Sequence, residues 1–141
     1  MKSIQEILGN RELFTINSGT TVDNAVKYMA QKGVGLLPVL SEGKLIGVFS
    51  ERDLVKRVIA PGLDHKTTLV DDVMSKNLVI AKIDESTESA MAKMKDAQTR
   101  HILIIDEDRL KGVLSVRDLL EIDLSECKTT IEVLNNYIYS K

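Results

Sequence analysis

The sequence repeats itself at an offset of 65 residues, and this repeat constrains the fold more than any other feature. Residues 21–54 align without a gap onto residues 86–119, and ten of these 34 positions are identical, from Ala25 with Ala90 to Leu54 with Leu119. One repeat of about 60 residues buries too little apolar surface to form a stable fold alone. We therefore expect two repeats that pack as one module about a pseudo-two-fold axis.

Both repeats predict the same order of secondary structure. In the first, apolar residues recur at helical spacing behind Thr20 and Thr21, and Gly33 is placed to end that helix. Two short apolar strands joined by a turn follow, and a second helix, which bears Leu54, Val55 and Val58 on one side, closes the repeat. With a short strand before each first helix, the order is β-α-β-β-α, twice, and the fold class is α/β (α+β). The predicted strands are 13–16, 36–40, 45–49, 78–81, 101–105 and 110–114, and the predicted helices are 22–30, 52–59, 87–97 and 116–122.

The repeats also set the predicted domain boundaries. Residues 1–62 form the first repeat with an N-terminal helix, 63–124 the second repeat, and 125–141 a C-terminal helix. The connection at 61–66 begins Pro-Gly, which is the strongest turn signal in the chain. In the final amphipathic segment, 130–139, a stripe of Ile131, Leu134 and Ile138 predicts a packing or dimerisation helix.

Composition excludes several classes of function. Lys and Arg total 19 against 21 Asp and Glu, so no global field attracts nucleic acid or an anionic membrane. No apolar run spans a bilayer and no signal peptide is evident, so we expect a cytoplasmic protein without membrane insertion. With one cysteine, Cys127, and two histidines, His65 and His101, we expect no metal site. No nucleophile with a base presents itself, and we expect no enzyme and no catalytic residue.

The densest identity between the repeats lies at residues 47–53 and 112–118. In each segment a predicted strand is followed by a serine, and an aspartate comes three residues after that serine. This spacing is close to that of a helix capping box. Capping alone would explain Ser50 with Asp53 and Ser115 with Asp118. It would not explain an arginine in each first turn, where the helix dipole disfavours a cation unless an anion is near.

A nucleotide site is the alternative interpretation of the same segments. A helix N-terminus, a serine hydroxyl and the arginines Arg52 and Arg117 supply donors to a phosphate, while an aspartate accepts hydrogen bonds from a ribose diol. Gly47 and Gly112 would let another backbone or a planar base come close. Both interpretations remain open on the residues alone.

These segments resemble a known family. The paired Gly-hydrophobic-x-Ser-x-x-Asp motifs, the helices with Ala25/Met29 and Ala90/Met94, and the run from Leu37 to Leu40 are similar to a tandem pair of cystathionine-β-synthase (CBS) domains. The resemblance covers roughly residues 3–122, and the chain is similar to the stand-alone bacterial and archaeal two-domain members of that family.

The resemblance implies a regulatory module that binds adenine nucleotides. AMP, ADP or ATP would bind in one or both clefts between the repeats, with S-adenosylmethionine or NADH less favoured. The module would act on a separate effector protein through a change of conformation or dimer contacts. We expect a homodimer through the helices around 22–30 and 55–59. The alternative is a structural or scaffolding module whose clefts stay empty.

The resemblance also implies roles for individual residues. Asp53 and Asp118 would hold ribose hydroxyls, and Ser50 and Ser115 would contact ribose or phosphate. Backbone groups at 14–16 (with Thr15 and Ile16) and 78–80 (Leu78, Val79 and Ile80) would hold adenine, and Arg100 with His101 would reach phosphate. The first repeat has Gly35-Leu36 where the second has Arg100-His101, so the two sites should differ in phosphate affinity. Leu103 stands where the family usually has proline.

Overall fold

The computed structural model describes residues 2–120 and 134–138. The described elements are α1 Ile4–Leu8, β1 Ile16–Asn17, α2 Val22–Lys32, β2 Leu36–Ser41, β3 Lys44–Ser50, α3 Glu51–Asp53, a π-helix at Leu54–Ile59, α4 Val70–Val73, β4 Ile80–Lys82, α5 Thr87–Asp96, β5 His101–Asp106, β6 Arg109–Ser115, α6 Val116–Leu120 and a helical stretch at 134–138. The predicted α/β class is confirmed.

The strands form two small sheets of the same topology, ordered β1-β2-β3 and β4-β5-β6. In each sheet the first strand runs parallel to the second, and the second pairs antiparallel with the third. The predicted order β-α-β-β-α is therefore found in both repeats. The two leading strands lie later than the predicted 13–16 and 78–81, because the parallel pairing begins at Ile16 with Val39 and at Ile80 with Leu103.

The two antiparallel hairpins turn in the same way. Glu42 and Gly43 have φ of 50° and 79°, and Glu107 and Asp108 have φ of 48° and 65°. Two central residues in the left-handed region give the type I′ turn, whose twist matches that of the strands it joins. The β3 and β6 strands therefore return along their neighbours to end at equivalent serines, Ser50 and Ser115.

The long helix α2 is capped as the sequence predicts, and α5 has a cap of the same kind. The Thr21 hydroxyl accepts from the Asn24 N–H at 3.2 Å, and Gly33 ends α2 with φ of 68°. In α5 the Ser86 hydroxyl plays the same part for the Ser89 N–H at 3.0 Å. Met29 and Met94 are buried in the cores of the two units.

The helix predicted at 52–59 begins one residue earlier and changes character. After α3 it continues as a π-helix, in which the Ala60 N–H donates to the Val55 carbonyl five residues back, at 2.9 Å. The wider turn separates residues that an α-helix would place on one side. Val58 is fully buried and Leu54 half-buried, but Val55 is 59% exposed. The prediction of one shared apolar side is wrong for Val55.

The compact units cross the boundary between the sequence repeats. One unit comprises Phe14–Leu78, and the other comprises the described residues of Met1–Leu13 and Val79–Lys141. In the first repeat's sheet the core includes Val70 and Val73 of α4. In the other unit, Ile4 and Leu8 of α1 join the core of β4-β5-β6. Each leading helix thus packs on the sheet of the other repeat, whereas the boundary predicted at 62/63 divides the chain by its repeats.

The described part of the C-terminal segment contacts the core through a different residue from those predicted. Tyr137 packs against the core of β4-β5-β6, and its hydroxyl donates to the Thr99 carbonyl. Leu134 and Ile138, two members of the predicted apolar stripe, are 38% and 46% exposed. The stripe is therefore not the packing face within 134–138, while Ile131 lies outside the described residues.

Candidate ligand-binding site

The first corner, residues 50–53, joins β3 to α3 through a reciprocal set of hydrogen bonds. The Asp53 N–H donates to the Ser50 hydroxyl at 3.2 Å, and the Ser50 N–H donates back to Asp53 Oδ2 at 3.0 Å. The Ser50 hydroxyl also donates to Oδ2 at 3.0 Å. The capping box is confirmed, with aspartate in the place of glutamate. Asp53 is the buried charged residue of the described chain, at 7% exposure.

An arginine on the same helical segment stands beside this carboxylate. Arg57 Nε lies 3.7 Å from Asp53 Oδ1. Its Nη1 donates to the Met74 carbonyl at 3.0 Å and lies 3.5 Å from the Val73 carbonyl. Arg57 therefore links the π-helix to the end of α4, and much of its guanidinium is committed to backbone oxygen.

The second corner, residues 115–118, repeats the box with a different arginine. The Asp118 N–H donates to the Ser115 hydroxyl at 3.0 Å, and the Ser115 N–H donates to Asp118 Oδ2 at 2.7 Å. Arg11 Nη1 donates to the same oxygen at 2.9 Å. The Asp118 side chain is 23% exposed against 9% for Asp53, so its carboxylate is more accessible to a ligand.

The charge state of Asp118 follows from opposing causes. Burial raises the pKa of its carboxyl, but the Ser115 N–H and the Arg11 guanidinium both stabilise the ionised form. Together they outweigh burial and hold the pKa of Asp118 below its usual value. The carboxylate is thus an acceptor at neutral pH, as a diol requires.

The predicted basic pair lies next to the second corner along the backbone. The Arg100 carbonyl accepts from the Val116 N–H at 2.9 Å, just as the Gly35 carbonyl accepts from the Glu51 N–H at 3.0 Å. Arg100 is exposed, and the half-buried His101 pairs with Ser115 in the β5–β6 register. Arg52 and Arg117 are exposed residues of α3 and α6. The two corners therefore share the same backbone hydrogen bond at the start of the helix. The residue whose carbonyl accepts this bond is Arg100 at the second corner and Gly35, which has no side chain, at the first.

Some of the backbone groups predicted to hold adenine are engaged within the sheet. The Val79 carbonyl accepts from the Leu103 N–H at 2.9 Å, and the Ile80 carbonyl accepts from Lys93 Nζ at 3.0 Å. A proline in place of Leu103 would have no N–H, so it could not make this hydrogen bond to the Val79 carbonyl. Ile16 is buried beside Val39, whereas Thr15 and Leu78 are half-buried residues outside the strands.

The glycine of each motif makes room for a leading helix. A Cβ on Gly47 would lie 2.6 Å from Met74 Sδ and 2.9 Å from the Ser75 carbonyl oxygen. A Cβ on Gly112 would lie 2.6 Å from Leu8 Cδ2. Of the two predicted occupants, a second backbone and a planar base, the structure shows the first beside Gly47. Beside Gly112 it shows a side chain of α1.

An open apolar groove of about 340 Å³ lies on the helical face of the Phe14–Leu78 unit. It runs between α2 and the segment of α3 and the π-helix, with Val26, Ala30, Val34 and Leu54 among its lining and Glu51 at its edge. Val55 and Ile59 of the π-helix are 59% and 57% exposed. This face is a candidate contact surface rather than a phosphate site.

The described residues contain neither a metal-binding cluster nor a membrane-spanning helix. No group of three or more His, Cys, Asp or Glu side chains there is arranged to hold a metal ion. None of the helices described is long and apolar enough to cross a membrane. Cys127, the single cysteine, lies outside the described ranges.

Comparison with known proteins decides the family. The CBS domain model matches residues 4–60 and 70–125, which are the two repeats with their leading helices. The chain belongs to the CBS domain family. The two CBS domains occupy most of its length, so the resemblance found in the motifs is confirmed.

Relatives and solved structures share this arrangement. The chain is similar to the CBS domain-containing protein YhcV of Bacillus subtilis (strain 168), at 33% identity over 84% of each protein. It resembles a structure with CBS domains from Burkholderia ambifaria MC40-6, at 28% identity and a TM-score of 0.83 over 89% of this chain and 96% of that one. Other curated relatives are longer, and the chain spans 60% and 22% of two of them.

A second solved structure shows the fold with ligands. It is the CBS domain pair of protein MJ0100 in complex with 5′-methylthioadenosine and S-adenosyl-L-methionine. The TM-score is 0.77 at 21% identity, over 89% of this chain and 98% of that one. At that identity the likeness establishes the fold.

Two arginines beside the corners escape prediction from the sequence. Arg57 lies four residues after Asp53, a spacing at which opposite charges meet on a helix, so a signal was present. Arg11 is 107 residues from Asp118, and no local pattern connects them. Their contact arises because α1 packs on the sheet of the other CBS domain.

Proposed function

We propose that this CBS pair is a regulatory module that binds an adenine nucleotide, AMP, ADP or ATP, and passes the signal to a separate effector protein. The carrying observation is the recurrence of one serine–aspartate corner in both compact units, each with an arginine beside its carboxylate. The ligand chemistry is also supported by the adenosyl compounds held by the MJ0100 pair. S-adenosylmethionine and NADH are less favoured ligands.

The corners supply the two kinds of group that a nucleotide needs. An ionised carboxylate accepts hydrogen bonds from both hydroxyls of a ribose, and a guanidinium fork binds phosphate. In this proposal Asp53 and Asp118 accept hydrogen bonds from the ribose hydroxyls. Ser50 and Ser115 contact the ribose or the phosphate. Arg52, Arg100, His101 and Arg117 take phosphate, and residues 15–16 and 78–80 border the base.

The proposed activity ends at binding and contains no catalytic step. A ligand can shift a protein between two states only by binding them unequally. The output would therefore be a change of shape or of dimer contacts that an effector recognises. The match to YhcV, a CBS domain-containing protein, supports this proposal because it covers 84% of each protein.

Thermal unfolding with each candidate ligand tests the proposal. A ligand at about 100 times its dissociation constant adds about 2.7 kcal/mol of stability, which should raise the melting temperature by about 5–10 °C. Asp53→Asn and Asp118→Asn keep a side chain that can cap the helix, and we expect each to reduce binding at its own corner. Ser86→Ala removes a cap from α5 and is the matched control: it should lower the melting temperature but preserve the ligand shift.

The outcomes separate the two functions. A shift with an adenine nucleotide that both aspartate variants diminish supports the proposal. No shift with AMP, ADP, ATP, S-adenosylmethionine or NADH would favour the scaffolding alternative, in which the serine–aspartate pairs only cap helices.

The exposed face of the π-helix supports a homodimer as the partner arrangement. Val55 and Ile59 are apolar, more than half exposed, and adjoin the apolar groove between α2 and the π-helix. A second molecule presenting the same face would bury both. Sedimentation at micromolar concentration should show a dimer that Val55→Asp and Ile59→Asp dissociate and that Lys56→Asp, at an exposed neighbour, preserves. A monomer in the unsubstituted protein would contradict the dimer.

A further inference from the structure

Arg11 stands at the second corner without serving the capping box. Its Nη1 lies 2.9 Å from Asp118 Oδ2, the oxygen that also accepts from the Ser115 N–H at 2.7 Å. At the first corner, the arginine beside the aspartate is Arg57, which lies four residues away on the same helical segment. The contact also contributes little to folding, because the Arg11 side chain is 43% exposed and solvent screens the pair.

We infer that Arg11 is a ligand-selecting residue of the second corner and directs phosphorylated adenosine to it. This inference rests on the proposed function and deepens it. A carboxylate that receives a ribose diol also repels the phosphate carried by the same sugar. A guanidinium on that carboxylate cancels the repulsion, and its remaining N–H groups can donate to the phosphate, since the contact with Asp118 uses one nitrogen of a fork with five donors.

The arginine beside the first corner is placed differently from Arg11. Arg57 lies 3.7 Å from Asp53, and its Nη1 donates to the Met74 carbonyl at 3.0 Å. The Asp53 side chain is also more buried than that of Asp118. In the position of Arg100, whose carbonyl bonds the start of α6, the first corner has Gly35. The second corner therefore combines a more accessible carboxylate with an arginine that is hydrogen-bonded to it.

This arrangement predicts a specific order of ligands at the second corner. AMP and ATP carry the phosphate that Arg11 would bind, whereas adenosine has the same base and diol without it. S-adenosylmethionine carries a cationic sulfonium, which Arg11 repels. Arg11 should thus raise affinity for the nucleotides and leave adenosine nearly unaffected.

Calorimetric titration of adenosine, AMP and ATP tests the inference. The background is Asp53→Asn, which weakens the first corner while keeping a capping side chain. Adding Arg11→Ala should lower the affinity for AMP and ATP by about tenfold or more, the loss expected for a charged hydrogen bond, with adenosine changed less than about twofold. Arg11→Lys should restore part of the nucleotide affinity. Arg109→Ala, at the opposite end of β6, should change none of the three.

The failures are distinguishable. If Arg11→Ala weakens adenosine as much as AMP, Arg11 only positions Asp118, and the inference is overturned while the proposed function stands. Unchanged or increased AMP affinity also overturns it, the latter because Arg11 would then compete with the ribose. If the unsubstituted protein binds none of the three compounds, the proposed function and this inference fail together.

Discussion

The sulfur of Met74 lies 2.6 Å from the position that a Cβ on Gly47 would occupy. Next to this contact, Val48 and Ser75 exchange backbone hydrogen bonds at 2.9 and 2.8 Å. The end of α4 therefore approaches β3 at backbone distance, and a glycine in the middle of the strand permits it. The same glycine belongs to the motif that identifies the family.

Gly47→Ala should destabilise the protein by about 1–3 kcal/mol, the range for an overpacked site. The added methyl would meet the Ser75 carbonyl oxygen at 2.9 Å as well as the sulfur, and backbone cannot move aside easily. Gly112→Ala is the matched control, because its close contact is Leu8 Cδ2 at the end of a flexible side chain. Urea denaturation of both variants measures the difference, and an equal loss would contradict the assigned role of Gly47.

Two valines of the π-helix should respond differently to truncation. Val58 is fully buried in the core of the Phe14–Leu78 unit, while Val55 is 59% exposed. Val58→Ala should lower the free energy of unfolding by about 2 kcal/mol through lost burial and a cavity, and Val55→Ala by less than about 0.5 kcal/mol. Denaturation at a concentration low enough to avoid association gives both values. Similar losses would mean that the segment is an ordinary α-helix with both valines on one side.

Stability should fall in acid through Glu85. Its carboxylate bonds Lys93 and accepts from the Lys82 N–H and the Ser89 hydroxyl, and these contacts lower its pKa from 4.5 to about 2. Because the folded state lowers this pKa, the ionised form stabilises the fold. The contribution is full above about pH 4.5 and disappears as the pH falls towards 2.

Comparison of the unsubstituted protein with Glu85→Gln measures this contribution. Their unfolding free energies should differ by about 1 kcal/mol at neutral pH, given solvent screening, and this difference should already be smaller at pH 3 and vanish as the pH approaches 2. Glu88→Gln, an exposed residue of the same helix, is the control and should leave the pH profile unchanged. A gap that stays constant from neutral pH to pH 3 would contradict the assignment.

Loss of the Ser50 hydroxyl should cost more than loss of the Ser86 hydroxyl. Both cap a helix, and removing a cap costs about 1 kcal/mol. The Ser50 hydroxyl also donates to Asp53 Oδ2 at 3.0 Å, and Asp53 is buried, so Ser50→Ala also removes a donor from a buried carboxylate. Thermal unfolding of Ser50→Ala and Ser86→Ala without ligand provides the test. An equal shift would show that the second hydrogen bond adds nothing.

Local patterns predicted the elements because their causes are local. Thr21 and Gly33 bound α2 through a cap and a left-handed residue next to them in sequence. The corner at Ser50 and Asp53 closes over three residues, so its geometry too was predictable. The ends of β1 and β4 were displaced because a strand begins where a partner pairs with it, and the partners lie more than twenty residues away.

The exposure of Val55 was mispredicted for a related reason. A period of 3.6 residues places Val55 beside Leu54 and Val58, and the sequence contains no signal for the change to a π-helix. In the π-helix Val58 is buried and Val55 is exposed.

The sequence by itself determined the duplication, the order of strands and helices, the capping boxes and the family, since each depends on residues close together in one repeat. The tertiary structure decided which sheet each leading helix covers. That exchange brings Leu8 against Gly112, Met74 against Gly47, and Arg11 to Asp118. Contacts between residues so distant in sequence depend on chain path and packing, which no local spacing records.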